Sequence, residues 1–160
     1  MNAPRIGLGT DLHVLEAGRP CRLGGLLFDC PVGPRGHSDG DALLHALTDA
    51  LLGAAGLPDL GTQFPNTDPR WKDADSESFV RAAVEAIAEE SLELWSVDAV
   101  VHCERPRLGP RRDELRAHLA AMLGGIDVSR INVKGKSLEG TSPDRETVSV
   151  TVVVLLGPRA

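Results

Sequence analysis

Asp41-Ala42-Leu43-Leu44-His45-Ala46-Leu47-Thr48-Asp49-Ala50-Leu51-Leu52-Gly53-Ala54-Ala55 reads as a helix from its spacing alone. Leu43, Leu47, Ala50, Leu51 and Ala54 recur at three- and four-residue steps and mark a buried face. Ser38, with Asp41 three residues later, reads as a capping box that opens the helix. Gly53, Gly56 and Pro58 close it. Asp41, His45 and Asp49 fall in a line on the side opposite the leucines, because four-residue steps stay on one helix face. Such a helix needs a sheet under its apolar side and leaves a polar stripe free for chemistry.

The rest of the chain supplies that sheet. Arg5 to Val14 has strand-like apolar content interrupted by Gly7 and Gly9, and Gly18-Arg19-Pro20 makes a turn. Cys21 to Asp29 reads as a second strand paired with the first, and Val32-Gly33-Pro34-Arg35-Gly36 as a loop. The segment from Asp59 to Arg70 is polar and irregular. Ser76 to Glu90 reads as a helix with Phe79, Ala83, Ala86 and Ile87 inward, and Asp113 to Leu123 as another. Leu92 to Cys103, Ile131 to Lys134 and Thr147 to Leu156 read as strands. The order predicts one α+β domain over residues 1–160: a mixed four-stranded sheet plus an N-terminal hairpin, with helices on one face.

Composition narrows the function. The 160 residues suffice for one domain with a sizeable core. A formal net charge of −6 gives no general attraction to nucleic acid or anionic membranes. Aromatics at 3%, with no Tyr, argue against a stacking surface for single strands. The first residues, Met1-Asn2-Ala3-Pro4-Arg5-Ile6, lack the apolar run of a signal peptide. The longest apolar stretch, Val148 to Leu156, is too short to span a bilayer. Cys21, Cys30 and Cys103 are an odd number without metal-type spacing, which points to reduced thiols and a cytoplasmic protein; a Cys21–Cys30 bridge across a hairpin is the alternative.

The chemistry-bearing residues form one constellation. Asp11 and His13 are two apart on a strand, so both side chains leave on the same side. His45 comes from the helix stripe. An Asp and two His with an open fourth position are what a catalytic zinc requires. Set against this is the blander reading of polar surface residues and a solvated helix stripe. His37 adds a further histidine close to the helix start, while His102 and His118 read as structural. Asp49 is either a support for a ligating histidine or a helix-surface residue.

The run from His37 to Ala55 closely resembles the 2-C-methyl-D-erythritol 2,4-cyclodiphosphate synthase family. So do Gly9-Thr10-Asp11-Leu12-His13, Leu23-Gly24-Gly25, Asp59-Leu60-Gly61 and Phe64-Pro65, all in family order. The resemblance covers Arg5 to about Glu139. It implies a homotrimer with its sheets around a central axis and active sites between neighbouring subunits. The implied reaction cyclises a CDP-linked methylerythritol phosphate and releases CMP. The implied zinc ligands are Asp11, His13 and His45. Asp11, His13, His37, Ser38, Asp59, Gly61 and Phe64 would face the substrate. Cys103, Pro106, Arg107, Leu108, Gly135, Lys136 and Ser137 would bind the nucleotide. Lys136, Ser137 and Glu139 would act on the diphosphate, with Glu139 holding Mg2+ or Mn2+.

The C-terminal part departs from the family. Lys134-Gly135-Lys136-Ser137-Leu138-Glu139 stands where a run of threonines precedes the acid, and Gly140 to Thr147 lacks the usual glycines. Lys136 can pair with a phosphate or fill the site. Leu8 stands where many members have a histidine near the trimer axis, and Asn66 where an acid is common. Besides the family reaction, two alternatives stay open. One is the same chemistry on a different CDP-linked polyol phosphate; the other is a non-enzymatic zinc- or nucleotide-binding trimer.

Overall fold

The computed structural model describes residues 3–35, 39–65, 67–71, 74–141 and 144–159. Strand β1 (Arg5–Ala17) is followed by three short strands, β2 (Cys21–Leu23), β3 (Leu26–Phe28) and β4 (Val32–Pro34). Helix α1 (Ala42–Ala55), the single turn α2 (Leu60–Gln63) and helix α3 (Ser76–Glu89) come next. The chain ends with β5 (Leu92–His102), α4 (Arg112–Met122), β6 (Ile131–Lys136) and β7 (Thr147–Pro158). The main sheet has five strands in the order β4-β1-β7-β5-β6. β5 and β6 are parallel, joined by the crossover helix α4 that a parallel pair requires, and the other pairs are antiparallel.

The α+β class and the one-sided helices are as expected. α1 lies against β1 and β7, α4 against β6, and α3 packs on α1. Strand β7 shows why the sheet has a wet and a dry side. Val148, Val150, Val152, Val154 and Leu156 are at most 2% exposed beneath the helices, whereas Val153 between them is 40% exposed.

Three local expectations are corrected. Residues 21–29 are not one strand on β1; β2 and β3 pair with each other as a hairpin, Leu23 opposite Leu26. Its two-residue turn is Gly24-Gly25, with φ of 62° and 81°, which glycine adopts at no steric cost. Val32–Pro34 is not a loop but the edge strand β4, paired with Leu15 to Ala17, so the sheet has five strands rather than four. The N-cap of α1 is Asp41 itself, accepting from Leu44 N at 3.1 Å, whereas Ser38 lies outside the described residues.

α1 sits unusually close to β1. A Cβ on Gly7 would stand 1.9 Å from Ala50 O, and one on Gly9 1.9 Å from Ala46 O. Bare glycines on the strand and alanines on the helix let the two backbones touch. The steps also match: two strand residues advance about 6.6 Å and four helix residues about 6 Å. Gly7 meets Ala50 and Ala54, Gly9 meets Ala46 and Ala50, and the next inward residue, Asp11, arrives beside His45.

Candidate active site

Asp11, His13 and His45 converge with one ligand atom each within 4.8 Å of one another, the one such group among the described residues. Asp11 Oδ2 is 2.9 Å from His13 Nε2 and 3.1 Å from His45 Nδ1. All three side chains are mostly covered, at 24%, 18% and 17% exposure, so water contributes little to satisfying them.

Proton bookkeeping tests whether a cation fits. His13 Nδ1 lies 2.9 Å from the carbonyl oxygen of Arg35, which can only accept, so Nδ1 carries the hydrogen of the neutral ring. Nε2 is then bare. It approaches Asp11 too obliquely for a hydrogen bond and is a buried nitrogen with no hydrogen-bond partner among the described residues. A bare nitrogen against a carboxylate oxygen is repulsive unless a proton or a cation lies between them. The Asp11 carboxylate pulls the His13 imidazole above its ordinary pKa, against the effect of burial. Burial pushes Asp11 up, but its contacts with the two imidazoles outweigh that and hold it well below the usual carboxylate range. The donor set of two nitrogens and one carboxylate fits zinc, which takes three protein ligands in catalytic sites.

Among the described residues no hydrogen bond or ion pair joins Asp49 to either histidine. Its Oδ1 accepts from Leu60 N at 2.7 Å and ties α2 to α1. Asp41 leaves the polar stripe as well: it is fully buried, accepting from Gly24 N at 2.8 Å and Gly25 N at 2.7 Å in addition to Leu44 N. His118 pairs with Glu77 at 3.1 Å and is not in the three-residue group, and His102 is exposed on the strand face away from the helices.

Two residues that the spacing did not single out support the cluster. His45 Nε2 is 2.9 Å from Ser76 Oγ, and the Ser76 hydroxyl donates to Asp39. Ser76 is 31 residues beyond His45, so no local pattern links them. The available signal was an Asp75-Ser76 pair opening a helix, which reads as a cap. Asp75 is indeed that cap, accepting from Ser78 N.

The remaining sequence-stated positions fall into two groups. Asp59 caps α2 through Thr62 N at 2.9 Å, and Gly61 is exposed in the same turn. Phe64 is 7% exposed, its ring stacked 5.4 Å from Phe79 and edge-on to Trp71 at 4.8 Å. His37, Ser38 and Asn66 lie outside the described residues. On the other side of the sheet's end, Cys103 N donates to Lys136 O at 3.0 Å, and Cys103 Sγ faces Pro106 O at 3.5 Å. Leu108 is buried against Gly135, Arg107 is exposed, and Glu104 accepts from Leu138 N at 2.7 Å. The segments expected to bind a nucleotide are thus adjacent. Lys136 is exposed, and among the described residues no ion pair joins it to Glu139, whose carboxylate accepts from the Ser137 hydroxyl.

Known proteins match this chain almost end to end. A family model described as the YgbB family covers residues 4–157. The chain is 45% identical over 159 residues to the 2-C-methyl-D-erythritol 2,4-cyclodiphosphate synthase of Bordetella petrii, covering 98% of each. It is 46% identical over 154 residues to that of Neisseria gonorrhoeae, covering 95% of this chain and 96% of the other. A solved synthase of the same description in a CDP-bound form superposes with a TM-score of 0.91 at 46% identity, covering 96% of this chain and all 100% of that one. A Plasmodium falciparum CDP complex superposes at 0.86 with 31% identity, covering 100% and 99%. With the Asp-His-His cluster, the sheet and the flanking loops all inside a match that runs almost end to end, the chain belongs to the YgbB family.

Proposed function

We infer that the protein converts 4-diphosphocytidyl-2-C-methyl-D-erythritol 2-phosphate into 2-C-methyl-D-erythritol 2,4-cyclodiphosphate and CMP, as a phosphorus–oxygen lyase of isoprenoid precursor synthesis. The observation that carries this is the convergence of Asp11, His13 and His45 inside a chain that matches synthases of that name along its length. In the reaction an oxygen of the 2-phosphate bonds to the β-phosphorus, and the bond from that phosphorus to the oxygen bridging to CMP breaks. The nucleophile is already anionic, so no protein base or nucleophile is required. Alignment and charge neutralisation are what remain for the protein to supply.

Asp11, His13 and His45 would hold zinc, and Glu139 would hold magnesium or manganese. A single carboxylate at Glu139 suffices for Mg2+ when phosphate oxygens complete the shell. When bound, these ions neutralise charge on the phosphates and on the departing CMP. His37, Ser38, Asp59 and Gly61 would hold the phosphate and polyol, and Phe64 would face the substrate. The segment from Cys103 to Leu108 reads the cytosine, and Gly135, Lys136 and Ser137 contact the diphosphate.

The two halves of the site are too far apart on one chain to share a diphosphate. Leu12, Ser149, His102 and Lys136 form one row across β1, β7, β5 and β6. Three strand spacings separate its ends, about 14 Å. A neighbouring copy that brings its nucleotide side against this chain's metal side closes the gap. The sheet face away from the helices supports such a trimer, since Ile6, Leu8 and Leu12 expose 73%, 62% and 64% of their surface there.

The test is turnover followed by 31P NMR. One cyclodiphosphate and one CMP should form per substrate consumed. CMP release only from another CDP-alditol phosphate would reassign the substrate. Metal binding without CMP release from any of them would leave a non-enzymatic trimer.

A further inference from the structure

His45 is the cluster member furthest in sequence from the other two, and its outer nitrogen is held by a chain of hydrogen bonds that starts at Asp39. The Ser76 amide donates to Asp39 Oδ2 at 3.0 Å, and the Ser76 hydroxyl donates to Asp39 Oδ1. A serine hydroxyl has one proton, and here it is committed to a carboxylate that can only accept. Ser76 Oγ can then meet His45 Nε2, 2.9 Å away, only as an acceptor. His45 must carry its hydrogen on Nε2. In the neutral ring Nδ1 is then bare and points at Asp11 Oδ2, 3.1 Å away, a pair that only a cation or a second proton between them makes favourable.

We propose that Asp39 and Ser76 are positioning residues that commit His45 to the one tautomer able to bind the metal through Nδ1. The proposal rests on the metal-centre reading above. Ser76 is 0% exposed, so no bulk water competes for its hydroxyl. Neither Asp39 nor Ser76 belongs to the three-residue ligand group; both act through His45. The relay also ties the metal centre to α3, whose first residue is Ser76, as well as to α1 and β1. Partners of this kind fix ring orientation and raise ligand basicity, and losing them lowers metal affinity about 10–100-fold.

Asp39→Asn is the sharpest variant, because it keeps the shape and reverses the chain. The Ser76 amide donates to one Asp39 oxygen at 3.0 Å and the Asp41 amide to the other at a longer 3.3 Å, so the Asn oxygen stays on the shorter bond to Ser76. The Asn NH2 then faces Ser76 Oγ, the Ser76 hydroxyl turns to His45 Nε2, and the hydrogen of His45 moves to Nδ1. Ser76→Ala instead removes the restraint. The measurement is the 15N ring shift of His45 in metal-free protein, read for hydrogen on Nε2, together with zinc affinity by chelator competition. A thermal melt of each protein confirms that it is folded. Wild type should show hydrogen on Nε2, whether or not Asp11 also holds one on Nδ1. Asp39→Asn should show hydrogen on Nδ1 alone and bind zinc about 10–100-fold more weakly, with Ser76→Ala showing both tautomers and a loss in the same range. Hydrogen on Nδ1 and none on Nε2 in wild type, or Asp39→Asn with unchanged tautomer and affinity, would overturn the relay. Wild type with hydrogen on Nε2 that binds no zinc would overturn the metal reading instead.

Discussion

Asp11, Asp41 and Asp49 use one side chain for three different tasks, and what donates to each decides which. Burial pushes the Asp41 carboxyl up, while the amides of Gly25, Gly24 and Leu44 pull it back, so it serves as a cap. Asp49 holds Leu60 N, and Asp11 alone of the three faces two imidazole nitrogens. Helix spacing put Asp41, His45 and Asp49 in a line, but it cannot register amides that arrive from a distant hairpin. Lys136 stands in the segment where the resemblance implies a run of threonines. It stands exposed at the end of β6, beside the Cys103 loop, so the reading in which it plugs the pocket through Glu139 has no support in the contacts. A charge-assisted hydrogen bond from its ammonium to a phosphate is worth roughly 1.5–3 kcal/mol. Lys136→Ala should therefore weaken CDP binding by about one to two powers of ten in a calorimetric titration, and Lys136→Thr should recover part of the loss. Unchanged affinity in both variants would show that the ammonium points only at solvent.

At the scale of elements, the placement of α1 on β1 builds the metal centre. Gly7 and Gly9 looked in the sequence like interruptions of a strand. In the structure they are the contact surface for Ala46, Ala50 and Ala54. Gly9→Ala would place a methyl 1.9 Å from Ala46 O, where neither backbone can yield without lifting the helix. Overpacking of this kind costs about 1–3 kcal/mol or more. The variant should melt at lower temperature and also lose zinc affinity, because His45 moves away from Asp11. A variant with wild-type melting and metal binding would show that the close approach is not what sets the site. Long elements were legible because their periodicity runs for many residues: α1, α3, β5 and β7 lie within two residues of the bounds read from spacing. The three-residue strands β2, β3 and β4 carry too little pattern, and Val32-Gly33-Pro34 in particular has loop composition. Pairing with the end of β1, not local preference, makes it a strand.

At the scale of the molecule, one sheet face is covered by helices and the other offers Ile6, Leu8, Leu12 and Val153. The apolar residues were visible in the sequence; that they lie together on an uncovered face was not, because this depends on the register of β1 with β7. Leu8 sits opposite Val153, and a charge there would be brought near its copies around an axis. Leu8→Glu should shift the proposed trimer toward monomer in light scattering and lower turnover with it. A wild type that is monomeric at micromolar concentration would contradict the shared site. Zinc on Asp11, His13 and His45 is proposed to serve the cyclisation. Bound zinc per chain and CMP release, measured together in wild type and in His45→Ala, decide this. Wild type should hold about one zinc per chain and release CMP. His45→Ala should lose both. Full zinc occupancy in His45→Ala, or CMP release at the wild-type rate without zinc, would contradict the account.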